Sequence, residues 1–266
     1  MDRIAETFAR LRSEGRTGLV TFSTAGDPDL PRSGQVLKAL DRAGADILEV
    51  GIPFSDPLAD GPVIQRATER ALAAGGTMSA ALDLIGSIRH DIKAPIVLFS
   101  YANPILRMGL ETFVDRASKA GVDGVLALDL PIEEADEFHR TLASRGLDTI
   151  FLLSPTTTDA RIKKAAALGR GFLYCISRLG VTGARDRVAT GAGEMIERIR
   201  KFTTLPIALG FGISKPEHVV EVGRYADAAV VGSALVARIG EAGRSATLIP
   251  QVEDFVRSLK DASVRT

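Results

Sequence analysis

Glu49, Asp56 and Asp60 follow one another within Asp46-Ile-Leu-Glu-Val-Gly-Ile-Pro-Phe-Ser-Asp-Pro-Leu-Ala-Asp-Gly61, in contrasting company. Glu49 sits in an apolar run with Ile47, Leu48, Val50 and Ile52, whereas the two aspartates fall in a loop rich in Pro and Gly. A carboxylate that loses its water has its pKa pushed toward neutrality, where it can both give and take a proton. Glu49 therefore reads as a general acid and base, with Asp60 as the second carboxylate of a catalytic pair. The competing reading is a structural glutamate buried against an arginine.

Other chemistries are less well provided for. The lysines fall away from the C-terminal ends of the expected strands, so a covalent imine is not expected. His90, His139 and His218 lie in or beside expected helices far apart in sequence, so no metal-ligand set is expected. Three glycine-bearing stretches do suggest an anion site: Ser177 to Arg185, Gly210-Phe-Gly-Ile-Ser214, and Gly232-Ser-Ala234 running into a helix. Glycine lets backbone N–H groups approach an anion, and a helix N-terminus adds about half a positive charge. The alternative is that these glycines only make tight turns. The connection 177–193 is long for a strand-to-helix loop and reads as a lid that closes over a phosphorylated substrate.

These groups need a scaffold, and the hydrophobic pattern supplies one. Short apolar runs are expected as strands at Gly18 to Phe22, Asp46 to Val50, Pro95 to Phe99, Gly124 to Leu128, Thr149 to Leu153, Phe172 to Ile176, Pro206 to Leu209 and Ala228 to Val231. Amphipathic stretches alternate with them, from Ser33 to Ala43 through to Pro216 to Val222, the last with Ser214 and Glu217 as an expected capping box. Strands apolar on both faces and joined by helices form parallel sheets, and eight such units close into a (β/α)8 barrel. The expectation is a single α/β barrel domain over 1–266, with an extra amphipathic N-terminal helix carrying Ile4, Phe8 and Leu11. An open dinucleotide-binding sheet is the main competitor, but Ser23-Thr-Ala-Gly-Asp-Pro28 lacks its Gly-x-Gly-x-x-Gly turn. Barrel active sites lie at the C-terminal strand ends, where Phe22, Asp27, Glu49, Tyr101, Asn103, Asp129 and Ser154 are expected. Asp27-Pro28 and Asn103-Pro104 also read as ordinary turn dipeptides.

Bulk properties narrow the function. The 266 residues carry 33 Lys plus Arg against 33 Asp plus Glu, so no global charge favours nucleic acid or a membrane surface. Hydrophobic residues at 45% and charged residues at 25% are ordinary for a globular protein. The single cysteine, Cys175, falls in an apolar run and reads as a small buried hydrophobe. With no signal-peptide core and no run long enough to span a bilayer, the expected location is the cytoplasm.

Six strings together resemble one family, the alpha subunit of tryptophan synthase, over essentially the whole chain. They are Thr24-Ala-Gly-Asp-Pro28, Leu48-Glu-Val-Gly-Ile-Pro-Phe-Ser-Asp-Pro-Leu-Ala-Asp-Gly-Pro62, Tyr101-Ala-Asn103, Asp129-Leu-Pro131, Gly180-Val-Thr-Gly183 and Gly210-Phe-Gly-Ile-Ser214. The resemblance implies a TIM-barrel lyase of tryptophan biosynthesis that cleaves indole-3-glycerol phosphate to indole and glyceraldehyde 3-phosphate. It implies Glu49 as general acid and base, and Asp60 as the carboxylate that holds the indole N–H. It implies a phosphate site at Gly183, Gly212, Gly232 and Ser233. Phe22, Tyr101, Ala127, Ile150 or Leu152, Tyr174 and Phe211 would surround the ring. Thr182 would belong to the lid and meet Asp60. Asp56 and Pro57 would dock on a beta subunit in an alpha2-beta2 assembly whose pyridoxal phosphate belongs to that partner, this chain having no cofactor and no metal of its own. Another sugar-phosphate isomerase or lyase, and a subunit that kept the fold but lost activity, remain as alternatives.

Overall fold

A computed structural model describes residues 2–176, 191–210 and 212–264. Its strands are β1 (Gly18–Thr24), β2 (Ile47–Gly51), β3 (Ile96–Ser100), β4 (Gly124–Ala127), β5 (Asp148–Thr149), β6 (Phe151–Leu153), β7 (Leu173–Ile176), β8 (Ile207–Gly210) and β9 (Ala228–Val231). Every pairing is parallel, in the order β5-β4-β3-β2-β1-β9-β8-β7-β6. The two ends of that order are halves of one strand. Between them lies Ile150, whose N–H donates to the Val125 carbonyl at 3.0 Å, so the sheet curls round on itself as a (β/α)8 TIM barrel. The strand expected over Thr149 to Leu153 is thus present but interrupted.

The outer layer comprises α2 (Leu30–Arg42), α3 (Pro62–Ala73), α4 (Met78–Ile88), α5 (Ala102–Met108), α6 (Leu110–Ala120), α7 (Ala135–Ala143), α8 (Asp159–Leu168), α9 (Ala192–Arg200), α10 (Pro216–Val222), α11 (Ser233–Ala242) and α12 (Leu248–Asp261), with α1 (Arg3–Ser13) preceding them. Successive strand residues face opposite ways. Leu48 and Val50 pack outward against the helices, whereas Ile47 joins Val20, Val97 and Leu126 inside the barrel. Glu49, two residues on from Ile47, therefore points into the interior.

One end of that interior is sealed by α1. Asp2 caps the helix by accepting from the Ala5 N–H at 2.9 Å. Ile4, Phe8 and Leu11, at helical spacing, are buried in the same cluster as the inward-facing strand residues, and Phe8 meets Phe172 at 5.8 Å between ring centroids. Gly124 and Gly171 leave room for the plug, since a Cβ on either would come within 3.1 or 3.0 Å of the Ile4 side chain. Burying side chains of this size contributes about 1.5–3 kcal/mol each. Only the C-terminal end of the barrel is left for polar chemistry.

Three local expectations are corrected. Ser214 and Glu217 form no capping box, because Pro216 sets the first turn of α10 and puts Lys215 at the cap position. The Ser214 N–H instead donates to His218 Nδ1 at 3.3 Å. Asn103-Pro104 is not a simple turn: it lies in the first turn of α5, where a proline costs no helical hydrogen bond. α12 has no counterpart among the expected elements; Leu248, Val252, Phe255, Val256 and Leu259 are its buried stripe, and it packs on α2 and α11.

Candidate active site

Glu49 lies in register with Phe22 on β1 and Val97 on β3. It has no exposed surface, and neither carboxylate oxygen has a hydrogen-bond partner among the described residues. The expected alternative, a glutamate buried against an arginine, is not what is found. Burial alone pushes its carboxyl up to about 8, so at neutral pH the side chain is mostly a neutral acid. An unpartnered buried carboxyl costs stability, which is the usual mark of a group kept for its reactivity.

An aromatic layer sits around it. Phe22 meets Phe99 edge-on at 5.4 Å, and Phe99 meets Tyr174 at 6.2 Å. Two glycines make this possible: a Cβ on Gly51 would lie 2.4 Å from the Phe22 ring, and one on Gly210 would lie 2.7 Å from the Tyr174 hydroxyl. Burial first, and the Glu49 charge second, push the Tyr174 phenol well above its ordinary value. Leu128, Ile150 and Leu152 also face inward. Ala127 does not; it packs against the outer helical layer, because alternation along β4 turns Leu126 and Leu128 in and the residue between them out. Phe99 was absent from the expected pocket. Its signal was available, since it stands two residues beyond Val97 on the same face of β3.

Asp60 is half-buried beyond the end of β2. The Tyr101 hydroxyl donates to its Oδ2 at 3.2 Å and accepts from the Ala59 N–H at 3.0 Å. Gln65 Nε2 holds the Asp60 carbonyl at 2.9 Å, so the loop is anchored to α3. Burial raises the Asp60 carboxyl to about 6 against the opposing hydrogen bond from Tyr101. Near pH 7 Asp60 is thus mostly ionised while Glu49 is mostly a neutral acid. Tyr101, expected at the ring, holds Asp60, and its own ring lies 5.3 Å from that of Phe54.

Gly210 pairs with Val230 across β8 and β9, so Gly212 and Gly232 follow at the same height on neighbouring strands. Gly212 has φ +56°, a left-handed conformation that favours glycine. Gly232 caps α11, and Ser233, 7% exposed, is its first residue. The first N–H groups of a helix lack internal acceptors. Those of α11 therefore open at the barrel mouth beside Gly212, a geometry suited to an anion. Thr182, Gly183 and Phe211, and most of the expected lid, lie outside the described residues.

Several other expected mouth residues have structural work. Asp27 is 2% exposed and takes a bidentate pair from Arg70 at 2.7 and 2.8 Å. Asp129 accepts from the Ala102 N–H at 2.6 Å, at the start of α5. The Ser154 hydroxyl is 3.0 Å from that of Thr156. Asp56 is exposed and accepts from the Ser55 hydroxyl at 2.6 Å. Beside it and Pro57, Leu58 is 88% exposed.

Comparison with known proteins shows which family the chain resembles. The family model described as tryptophan synthase alpha chain matches residues 8–264. The chain is 50% identical to the tryptophan synthase alpha chain of Geobacter sulfurreducens over 262 residues, 98% of this chain and 99% of that one. It is 46% identical to that of Solibacter usitatus, covering 98% and 97%. Among solved structures, it is similar to a chain of Mycobacterium tuberculosis tryptophan synthase, with TM-score 0.92, 33% identity and coverage of 100% and 99%. It is also similar to the tryptophan synthase subunit alpha of Legionella pneumophila, with TM-score 0.88, 36% identity and 98% coverage of each.

Proposed function

Since the chain belongs to the tryptophan synthase alpha chain family, a family of lyases that cleave indole-3-glycerol phosphate in tryptophan biosynthesis, we propose that Glu49 and Asp60 carry out this cleavage. The products are indole and glyceraldehyde 3-phosphate. The neutral Glu49 carboxyl gives its proton to indole C3, which turns the ring into an electron-accepting indoleninium ion. The resulting carboxylate takes the proton of the adjacent glycerol hydroxyl. As the carbonyl forms, the carbon–carbon bond breaks and its electron pair returns to the ring. The acid form of Glu49 is thereby regenerated, and protons balance over the cycle. The Asp60 carboxylate holds the indole N–H and stabilises the positive ring, a role that is strongest where water is excluded.

The observation that carries this reading is the buried Glu49 carboxyl, without a partner among the described residues and raised to about 8, on the inner wall of the barrel. Phe22, Phe99, Tyr174, Leu128 and Leu152 flank the ring, and Tyr101 orients Asp60. Gly212, Gly232 and Ser233 hold the phosphate, joined by Gly183; Phe211 joins the residues around the ring, and Thr182 belongs to the lid and meets Asp60. The loop carrying Asp56 and Pro57 docks on a beta subunit in an alpha2-beta2 assembly, with the exposed Leu58 as apolar contact area. The chain acts in the cytoplasm as a single domain without a cofactor of its own. Among the described residues no single helix is long and apolar enough to cross a membrane. The test is Glu49→Gln, which keeps shape and removes the ionisable group: indole release falls by a factor of about 10²–10⁴ or more while a non-cleavable substrate analogue still binds. Turnover within tenfold of the parent would reject the assignment.

A further inference from the structure

The barrel wall is not continuous. The last backbone bond tying β4 to the strand beyond it is the one from Ile150 to Val125. Above it, β4 turns to β3, with the Leu128 N–H donating to Ser100 at 2.8 Å, while β6 pairs only with β7. The wall therefore parts between Ala127 and Asp129 on one side and Phe151 and Leu153 on the other. A cavity of about 320 Å³ occupies this parting, roughly ten times the 30 Å³ share of one liquid water molecule.

Two of its lining residues, Leu128 and Leu152, also face the barrel interior. The other wall is apolar: Phe151 and Leu153 from the outer face of β6, and Ala165 of α8, which is 1% exposed. Among the polar side chains that line it are Asp129, Thr157 and Arg161, and each has a partner. Arg161 Nε donates to Glu133 at 2.8 Å, and Thr157 Oγ1 accepts from the Ser154 N–H at 2.9 Å.

We propose that this cleft is a specificity subsite that accepts a small apolar substituent on the benzo ring of the substrate, so that the enzyme cleaves ring-substituted indole-3-glycerol phosphates as well as the parent compound. The inference rests on the reading above, in which Leu128 and Leu152 flank the indole. In a barrel whose β4 and β6 were laced together, a methyl group at that ring edge would meet closed wall. Here it passes between two leucines toward the wall formed by Phe151, Leu153 and Ala165.

The experiment measures kcat/KM of the purified chain for indole-3-glycerol phosphate and for its four analogues methylated singly on the benzo ring. At one position or more, the methylated substrate is expected within tenfold of the parent. Ala165→Met fills the cleft from its far side and should lower kcat/KM for that analogue at least tenfold, the scale on which one methyl group is discriminated in an apolar pocket, with the parent substrate changed less than twofold. If a thermal melt shows Ala165→Met unfolded, Ala165→Val provides a smaller intrusion, with an expected loss of about threefold. The inference is overturned if all four analogues fall more than a hundredfold below the parent in the unsubstituted enzyme. It is equally overturned if the Ala165 variants reduce parent and analogue alike. If the parent compound itself is not cleaved, the functional reading fails instead, which is a distinct result.

Discussion

Replacing Glu49 by Gln should stabilise the protein increasingly as pH rises, while abolishing its activity. The carboxyl titrates near 8 when folded and 4.5 when exposed, because burial disfavours its charged form. Between those values the folded chain binds one proton that the unfolded chain has released, so the parent loses stability as pH rises through this window. Below pH 4.5 both states are protonated and nothing is lost. From pH 5 to pH 7.5 the expected loss is about 3 kcal/mol, at roughly 1.4 kcal/mol per pH unit. Gln has no such titration, and the constant cost of burying its amide cancels when two pH values are compared. Equilibrium urea unfolding of parent and variant at pH 5 and 7.5 should therefore show their stability difference growing by on the order of 3 kcal/mol in favour of Gln. A difference that stays flat within 1 kcal/mol would refute the reasoning, since it would mean that Glu49 is hydrated or paired in the folded state.

If Asp60 must be ionised and Glu49 protonated, kcat/KM should be bell-shaped, with limbs near pH 6 and 8. Asp60→Asn should remove the acidic limb and lower turnover by about 10²–10³, and a persisting limb near 6 would assign it to another group. Gly210→Ala brings a Cβ 2.7 Å from the Tyr174 hydroxyl, so kcat/KM should fall tenfold or more. Tyr174→Leu in the same chain should recover part of that loss, whereas additive effects in the double-mutant cycle would show that the two sites do not touch. Asp148, 6% exposed, is raised to about 7 by burial and then by the Asp2 charge. Like Glu49 it withdraws stability as pH rises, in this case from about 4 to 7. Asp148→Asn should raise the urea midpoint at pH 8 and leave it nearly unchanged at pH 4, and equal midpoints at pH 8 would contradict the burial.

Much of the site was legible locally. The alternation of apolar runs with amphipathic stretches is a short-range property of the chain, and it is enough to imply parallel strands joined by helices and hence a barrel. The placement of Glu49 within Ile47 to Ile52 likewise announced a desolvated carboxyl, since five consecutive strand residues cannot all find water. The glycines before α11 could be read as a candidate anion site because helix N-termini and close backbone approach are local matters too. What could not be read locally were pairings between distant segments. Asp27 and Asp129 were also expected at the barrel mouth, but Arg70, 43 residues away, occupies the first, and the start of α5, 27 residues away, the second. The hydrogen bond from Tyr101 to Asp60 joins segments 41 residues apart, and Ala127 turned outward because strand phase is fixed only when neighbouring strands lock together. The parting of the wall at Ile150 is the extreme case: strand propensity favours an unbroken run there, and only the geometry of closing the barrel interrupts it. Types and periods of residues determined which chemistry was available, whereas the long-range packing of the barrel decided which carboxylates were left free to perform it.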